Sequence, residues 1–266
     1  MFPPPDLPSD PVVPVPPPPV HRIAPIGAGA LAALLAGLAM LGPFSIDAYL
    51  PAFPNIQADL GASAIEVQQT LSAYMLAFAG MVLWHGALSD AFGRRNIVLC
   101  SLVVFALATF GCAASHSVHH LWVFRILQGI SAGAGIVVGR AIIRDLYADA
   151  AAMRLLSLVT MIFSIAPAIA PVLGGWIVKY SDWRTIFLGL LAYTVVLFIA
   201  CYRYLPETLP PAKRQPFNPG YLATNYGAIF RSPLFHMKAG IVACNFAGLF
   251  LFITAAPVML PVHLHL

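Results

Sequence analysis

Charge is scarce in this chain. Of 266 residues, 14 are Lys or Arg and 10 are Asp or Glu. Soluble domains carry about 25% charged residues, against 9% here, and 60% of the residues are hydrophobic. That shortage excludes a water-soluble fold and defines an all-α membrane protein that crosses the bilayer several times. The basic residues are scattered through short loops, so the net charge of +4 marks no nucleic-acid surface. Cysteine is also sparse. Cys100, Cys112, Cys201 and Cys244 all fall in apolar runs and read as small packing residues, not as a disulfide framework or a metal site. No Walker loop is present, which leaves ATP-driven transport without support. No cofactor and no enzymatic activity are expected.

Long apolar runs make up most of the rest. Residues 1–22 form a proline-rich cytoplasmic tail, read as disordered or polyproline II. Six apolar spans are expected within 23–204, each near the ~20 residues that cross a bilayer as a helix. The first runs from about Ile26 to Leu50, the fourth from Leu121 to Ile143 and the fifth from Leu155 to Val178. Residues 205–238 read as a polar cytoplasmic connection and 239–266 as a seventh span. A loop holding His116, His119 and His120 reads as a run of neutral external histidines rather than a metal site, because no carboxylate or cysteine joins them.

The densest polar segment is WHGALSDAFGRRNIVL, Trp84 to Leu99, which joins the second and third spans. Gly86 and Gly93 permit close packing and a sharp turn. Asp90 is placed to complement a helix N-terminus. Arg94 and Arg95 mark a cytoplasmic loop. Arg22, Arg94, Arg95, Arg144, Arg154, Arg203, Lys213, Arg214, Arg231 and Lys238 share one side, and only Lys179 and Arg184 lie on the other. The positive-inside rule therefore puts the N-terminus in the cytoplasm. Ser181, Asp182 and Arg184 weakly echo Ser89, Asp90 and Arg94 on the opposite face.

Three groups of intramembrane residues carry chemistry. Asp47 is the acid nearest the bilayer interior, where ionisable groups are costly and mark pathways or relays. Burial favours the protonated form of a carboxyl, so an acid placed there can bind and release a proton. The alternative is a hydrated helix-end residue beside Pro51. Arg125, in RILQGISAGAG, keeps its charge and must face the interior or water. Gln128 lies one turn on, and Gly129, Gly133 and Gly135 clear a packing face. The alternative for Arg125 is a structural ion pair. In APAIAPVLGGW, Pro167 and Pro171 bend the fifth span, while Gly174 and Gly175 admit a neighbouring helix.

The order G-x-L-S-D-x-F-G-R-R resembles the loop between helices 2 and 3 of major facilitator superfamily transporters. With SIDAYLPAFPNI, VQQTLSAYMLAFA, RAIIRDLY, the APAIAPVLGGW stretch and DWRTIF, the chain resembles the Bcr/CflA-type multidrug efflux subfamily from Ser45 to Leu205. Ala166 and Ala170 stand where the helix-5 antiporter motif usually has glycines. The resemblance implies a six-helix N-terminal bundle plus a seventh transmembrane helix. It implies a drug/proton antiporter of the bacterial inner membrane, with a small lipophilic or cationic drug-like substrate, protons and the lipid bilayer as partners. It also implies a role for Arg125 in proton coupling and a cytoplasmic latch in which Asp90 pairs with Arg94, near Asp145.

Other functions are a non-transporting membrane fragment, an assembly partner, or an exporter of a sugar or other metabolite. Alternating access needs two halves around one site, and this sequence supplies one half and one further span. The chain is therefore expected not to transport alone, unless it self-associates or meets a separate C-terminal half. Expression in a pump-deficient bacterium checks this: the expected outcome is no gradient-dependent drug resistance.

Overall fold

The computed structural model describes residues 26–245 and 247–248. The proline-rich tail and most of the seventh span lie outside the described residues. The chain divides into two compact units, one ending at Gln215 and the other beginning at Pro216.

In the first unit, α1 (Ala28–Asp47) is followed by a 3-10 turn (Leu50–Ala52) and α2 (Phe53–Leu60). This replaces the loop expected after Leu50. Pro51 and Pro54 fall in the first turns of these elements, where a missing N–H costs no internal bond. Then come α3 (Ala64–Phe92) and α4 (Arg94–Ala113). The fourth span is two helices, α5 (Val118–Ala132) and α6 (Ala134–Leu146), interrupted at Gly133. The fifth is α7 (Asp149–Phe163) and α8 (Ala166–Tyr180), and α9 (Arg184–Tyr204) completes the set. Among the described residues, six stretches are long and apolar enough to cross a membrane, from Ala28–Leu60 to Arg184–Tyr204.

Local sequence sets the helix starts. Ser63 Oγ accepts the Glu66 N–H, and the Glu66 carboxylate accepts the Ser63 N–H, a reciprocal cap at the start of α3. Ser117 Oγ accepts the His120 N–H at the start of α5. The fifth span is interrupted in the turn before Pro167, where a proline ring clashes with the carbonyl four residues back and removes a helical bond. The break falls at Ser164 and Ile165, and Pro167 sits in the first turn of α8, with Pro171 inside it.

Packing follows the small residues. α1 contacts α6, α7, α8 and α9, α3 lies along α5, and α4 lies along α5 and α9. A side chain on Gly135 would meet the Leu38 carbonyl, one on Gly129 the Tyr74 carbonyl, and one on Gly174 the Ala48 carbonyl. Backbones touch at these points, which is how helices gain packing energy in lipid. Gly175 differs: nothing lies within 4 Å of a Cβ built there. Only Gly174 of that pair admits a neighbour among the described residues. The outward faces are apolar, with Leu76, Leu107, Trp176 and Val196 exposed, as a bilayer solvent requires.

The second unit contains α10 (Pro219–Phe230) and a further helical stretch, 233–245. Thus the stretch expected to be an open connection is partly helical. The Phe230 and Phe235 rings meet edge-on, with centroids 5.2 Å apart.

Gly174→Ala is expected to lower the thermal midpoint in detergent, because overpacking costs about 1–3 kcal/mol. Gly175→Ala is expected to leave it unchanged or raise it.

Candidate functional site

Two polar clusters of the first unit hold residues singled out in the sequence. The first is centred on Arg125, which is fully buried. Its Nη1 donates to the Ser45 carbonyl at 2.9 Å and to Gln128 Oε1 at 2.7 Å. Its guanidinium carbon lies 4.6 Å from the Tyr49 ring centroid and 4.4 Å from that of Tyr74. Both rings are buried. A desolvated cation–π contact contributes about 2 kcal/mol and a hydrogen bond to a charged group about 1.5–3 kcal/mol. These contacts are of the same order as the few kcal/mol that inserting an arginine costs. The charge is therefore tolerated without a counter-ion. Arg125 forms no ion pair among the described residues. Its Nε and Nη2 are sealed from solvent and have no acceptor.

The residues around the guanidinium are themselves fixed. Gln128 Nε2 donates to Thr109 Oγ1 at 2.8 Å, which aims the amide oxygen at Arg125. Tyr49 and Thr70 hydroxyls lie 2.7 Å apart, and Ser45 Oγ is 2.8 Å from the Tyr74 hydroxyl. Asp47 follows Ser45 by two residues at the end of α1. It is 9% exposed and is the last residue of α1. Its carboxylate has no hydrogen bond or ion pair among the described residues. Arg125 thus bonds the carbonyl of Ser45, two residues before the unpaired Asp47.

The second cluster surrounds Arg94, at the turn between α3 and α4. Arg94 Nη1 pairs with Asp90 and donates to Ser89 Oγ at 2.6 Å. Its Nε meets Asp145 Oδ2 at 3.1 Å. The structure thus brings Asp90, Arg94 and Asp145 together. Asp90 does not complement the N-terminus of α4, because it lies in the last turn of α3. Glu207 does so instead, accepting the Arg94 and Leu209 N–H groups on Oε1 at 3.0 Å each. Thr208 Oγ1 donates to Asp145 Oδ2 at 2.8 Å, and the Gln215 N–H reaches the Asp90 carbonyl at 3.2 Å. Gly93 has φ +96°, and a Cβ there would strike the Glu207 carboxylate. Gly86 faces Val137 at ordinary contact distance. Arg95 donates to the Tyr202 carbonyl at 2.6 Å and lies over the Tyr202 ring.

Sequence reasoning missed Tyr49, Tyr74, Thr109 and Thr208, and assigned Glu207 only to a polar connection. The signal for Glu207 was an acid directly after the sixth span on a side otherwise rich in basic residues. Nothing in the local sequence marked Tyr74, whose role comes from its place opposite Arg125.

Apolar helices broken around buried polar groups, with a charged hairpin at one end, define a multi-pass membrane protein of transporter type. The family model of the Major Facilitator Superfamily matches residues 23–266, and the chain belongs to that family. It is 39% identical over 232 residues to an uncharacterized MFS-type transporter, YdgK, of Bacillus subtilis, covering 86% of this chain and 57% of the relative. It is 36% identical over 229 residues to a bicyclomycin resistance protein homolog of Haemophilus influenzae, covering 84% and 56%. It is also 36% identical over 182 residues to the multidrug resistance protein MdtL of Klebsiella pneumoniae, covering 68% and 46%. The chain spans about half the length of the curated relatives it matches. The fold is shared with the proton:xylose symporter XylE (TM-score 0.61, 14% identity, 68% of this chain and 45% of that one). It is also shared with the human organic anion transporter MFSD10 (TM-score 0.58, 21% identity, 72% and 50%).

The Asp145 side chain is 23% exposed and that of Asp90 is 43% exposed. Exposed pairs contribute about 0–1 kcal/mol. Double-mutant cycles with Arg94→Gln are therefore expected to give a larger coupling for Asp145→Asn than for Asp90→Asn, read by unfolding in detergent.

Proposed function

We propose that this chain is the N-terminal half of a proton-coupled drug exporter, with the first part of the second half. It sits in a bacterial inner membrane with its N-terminus in the cytoplasm. The six-helix bundle is 23–204, the connection 205–238 and the seventh span 239–266. The observation that carries the reading is a buried Arg125 cation with no counter-ion among the described residues, bonded to the Ser45 carbonyl two residues before an Asp47 carboxylate that itself has no partner there. An acid in that setting binds a proton at low cost and gives it up when a cationic substrate takes its place, which is the exchange an antiporter needs. The names of the relatives, bicyclomycin resistance protein homolog and multidrug resistance protein, support a drug-like substrate.

Each residue takes a part in that scheme. Asp47 is the proton and substrate acid. Arg125, oriented by Gln128, offers free N–H groups to an incoming acceptor. The Asp90–Arg94–Asp145 cluster, with Gly86, Gly93 and Arg95, latches the cytoplasmic end. Pro167 and Pro171 soften the fifth span, and Gly174 lets it approach the Ala48 backbone, while Gly175 leaves its outer side small.

The test is transport of a lipophilic cation in inverted vesicles, with and without a proton gradient. The chain is assayed alone and with a separately expressed C-terminal half from a relative. Asp47→Asn keeps the shape and removes the titration, so gradient-dependent efflux is expected to fall to background. Unchanged efflux in that variant would sink the reading. Arg125→Lys is expected to impair efflux as well, because a compact ammonium lacks the planar fork that stacks between two rings.

A further inference from the structure

At the end of the unit opposite the Arg94 hairpin lies a third polar group, which the latch and the proton site do not use. Asp59, near the end of α2, faces the start of α9. Its Oδ2 accepts Trp183 Nε1–H at 3.2 Å and meets Arg184 Nη1 at 2.8 Å. Arg184 Nη2 also donates to the Ser115 carbonyl at 3.0 Å, and the guanidinium lies 4.3 Å from the Trp183 ring centroid. Asp182 is a second carboxylate for Arg184, at 3.4 Å. One acid of the first span thus ties together the loop before α5 and the turn before α9.

From Trp183 a continuous line of rings leads inward. Trp183 meets Phe187 edge-on with centroids 6.0 Å apart, and Phe187 meets Tyr49 at 5.6 Å. Tyr49 is the ring under Arg125. Trp183, Phe187 and Tyr49 are each 2% exposed or less. A core this close-packed has no slack to absorb a shifted ring. A buried tryptophan needs an acceptor for its single N–H, and Asp59 is the acceptor here.

We propose that Asp59 and Trp183 are positioning residues for Arg125, acting through the Trp183–Phe187–Tyr49 line of rings. Asp59 fixes the indole, the indole fixes Phe187, and Phe187 together with the Thr70 hydroxyl fixes the tilt of Tyr49 over the guanidinium. The functional part rests on the proposed proton-coupled export, whereas the geometric part does not.

The experiment reads the two parts separately. The full chain, labelled with 15N-arginine, is placed in lipid nanodiscs, and the Arg125 Nε–Hε signal is assigned from its loss in Arg125→Lys. Ring currents from Tyr49 and Tyr74 make that signal sensitive to ring position. Asp59→Ala orphans the Trp183 N–H and is expected to displace the signal by more than its linewidth. Asp59→Asn keeps an acceptor oxygen and is expected to restore it. Phe187→Leu cuts the line in the middle, leaves the Asp59 contacts in place, and is expected to displace the signal too. Asp182→Ala removes only the exposed carboxylate of Arg184 and is expected to leave the signal in place. Gradient-dependent efflux is expected to fall by about two- to thirtyfold in Asp59→Ala and Phe187→Leu, the range seen for residues along coupling networks. An Arg125 signal unmoved in both variants overturns the proposal. A displaced signal, in a system where the unmodified chain shows no gradient-dependent efflux even with a C-terminal half supplied, upholds the positioning and sinks the export reading.

Discussion

A guanidinium without a counter-ion is the constraint on which the first unit turns. Arg125 cannot shed its proton, and no water reaches it in the described structure. The chain surrounds it with groups that carry partial charge only: two aromatic faces, a backbone carbonyl and an amide oxygen. Each comes from a different place. Tyr49 and Ser45 lie at and just past the end of α1, Tyr74 is on α3, and Gln128 is on α5 itself. The helices must approach closely to deliver them, and the glycines make that possible. Gly129 brings α5 against the Tyr74 backbone, and Gly174 brings α8 against Ala48, next to Asp47.

The charged turn around Arg94 obeys different physics. It is near water, so single ion pairs there are weak, and stability comes from sharing. Asp145 accepts from both Arg94 and Thr208, and Glu207 accepts two backbone N–H groups. Residues 205–215 therefore belong to the first compact unit, and the division falls at Gln215 and Pro216, not directly after the sixth span.

The fold class was legible because bilayer thickness and backbone satisfaction leave few solutions for a chain this apolar. The six spans followed from run length alone. Their interruptions were harder to read. Pro167 advertised a bend, and the helix breaks just before it, because a proline disrupts the turn that precedes it. Asp47, Arg125 and Gln128 stood out as polar residues in apolar runs. Tyr49 and Tyr74 did not, because an aromatic residue in a membrane span has an ordinary role as a packing residue. Only the approach of α1, α3 and α5 turns those two rings into the walls of a cation site. The same holds for Glu207, whose function depends on a backbone N–H more than a hundred residues earlier in the chain.

The two unmade bonds of Arg125 also set what the buried site can accept. Within the described structure the guanidinium is shielded from solvent, and its Nε and Nη2 face no acceptor. Each unmet donor costs about 1–3 kcal/mol. Together they raise this arrangement relative to one in which an acceptor has entered. The bundle is thus held together around a gap in its hydrogen bonding that only an acceptor, never another donor, can fill.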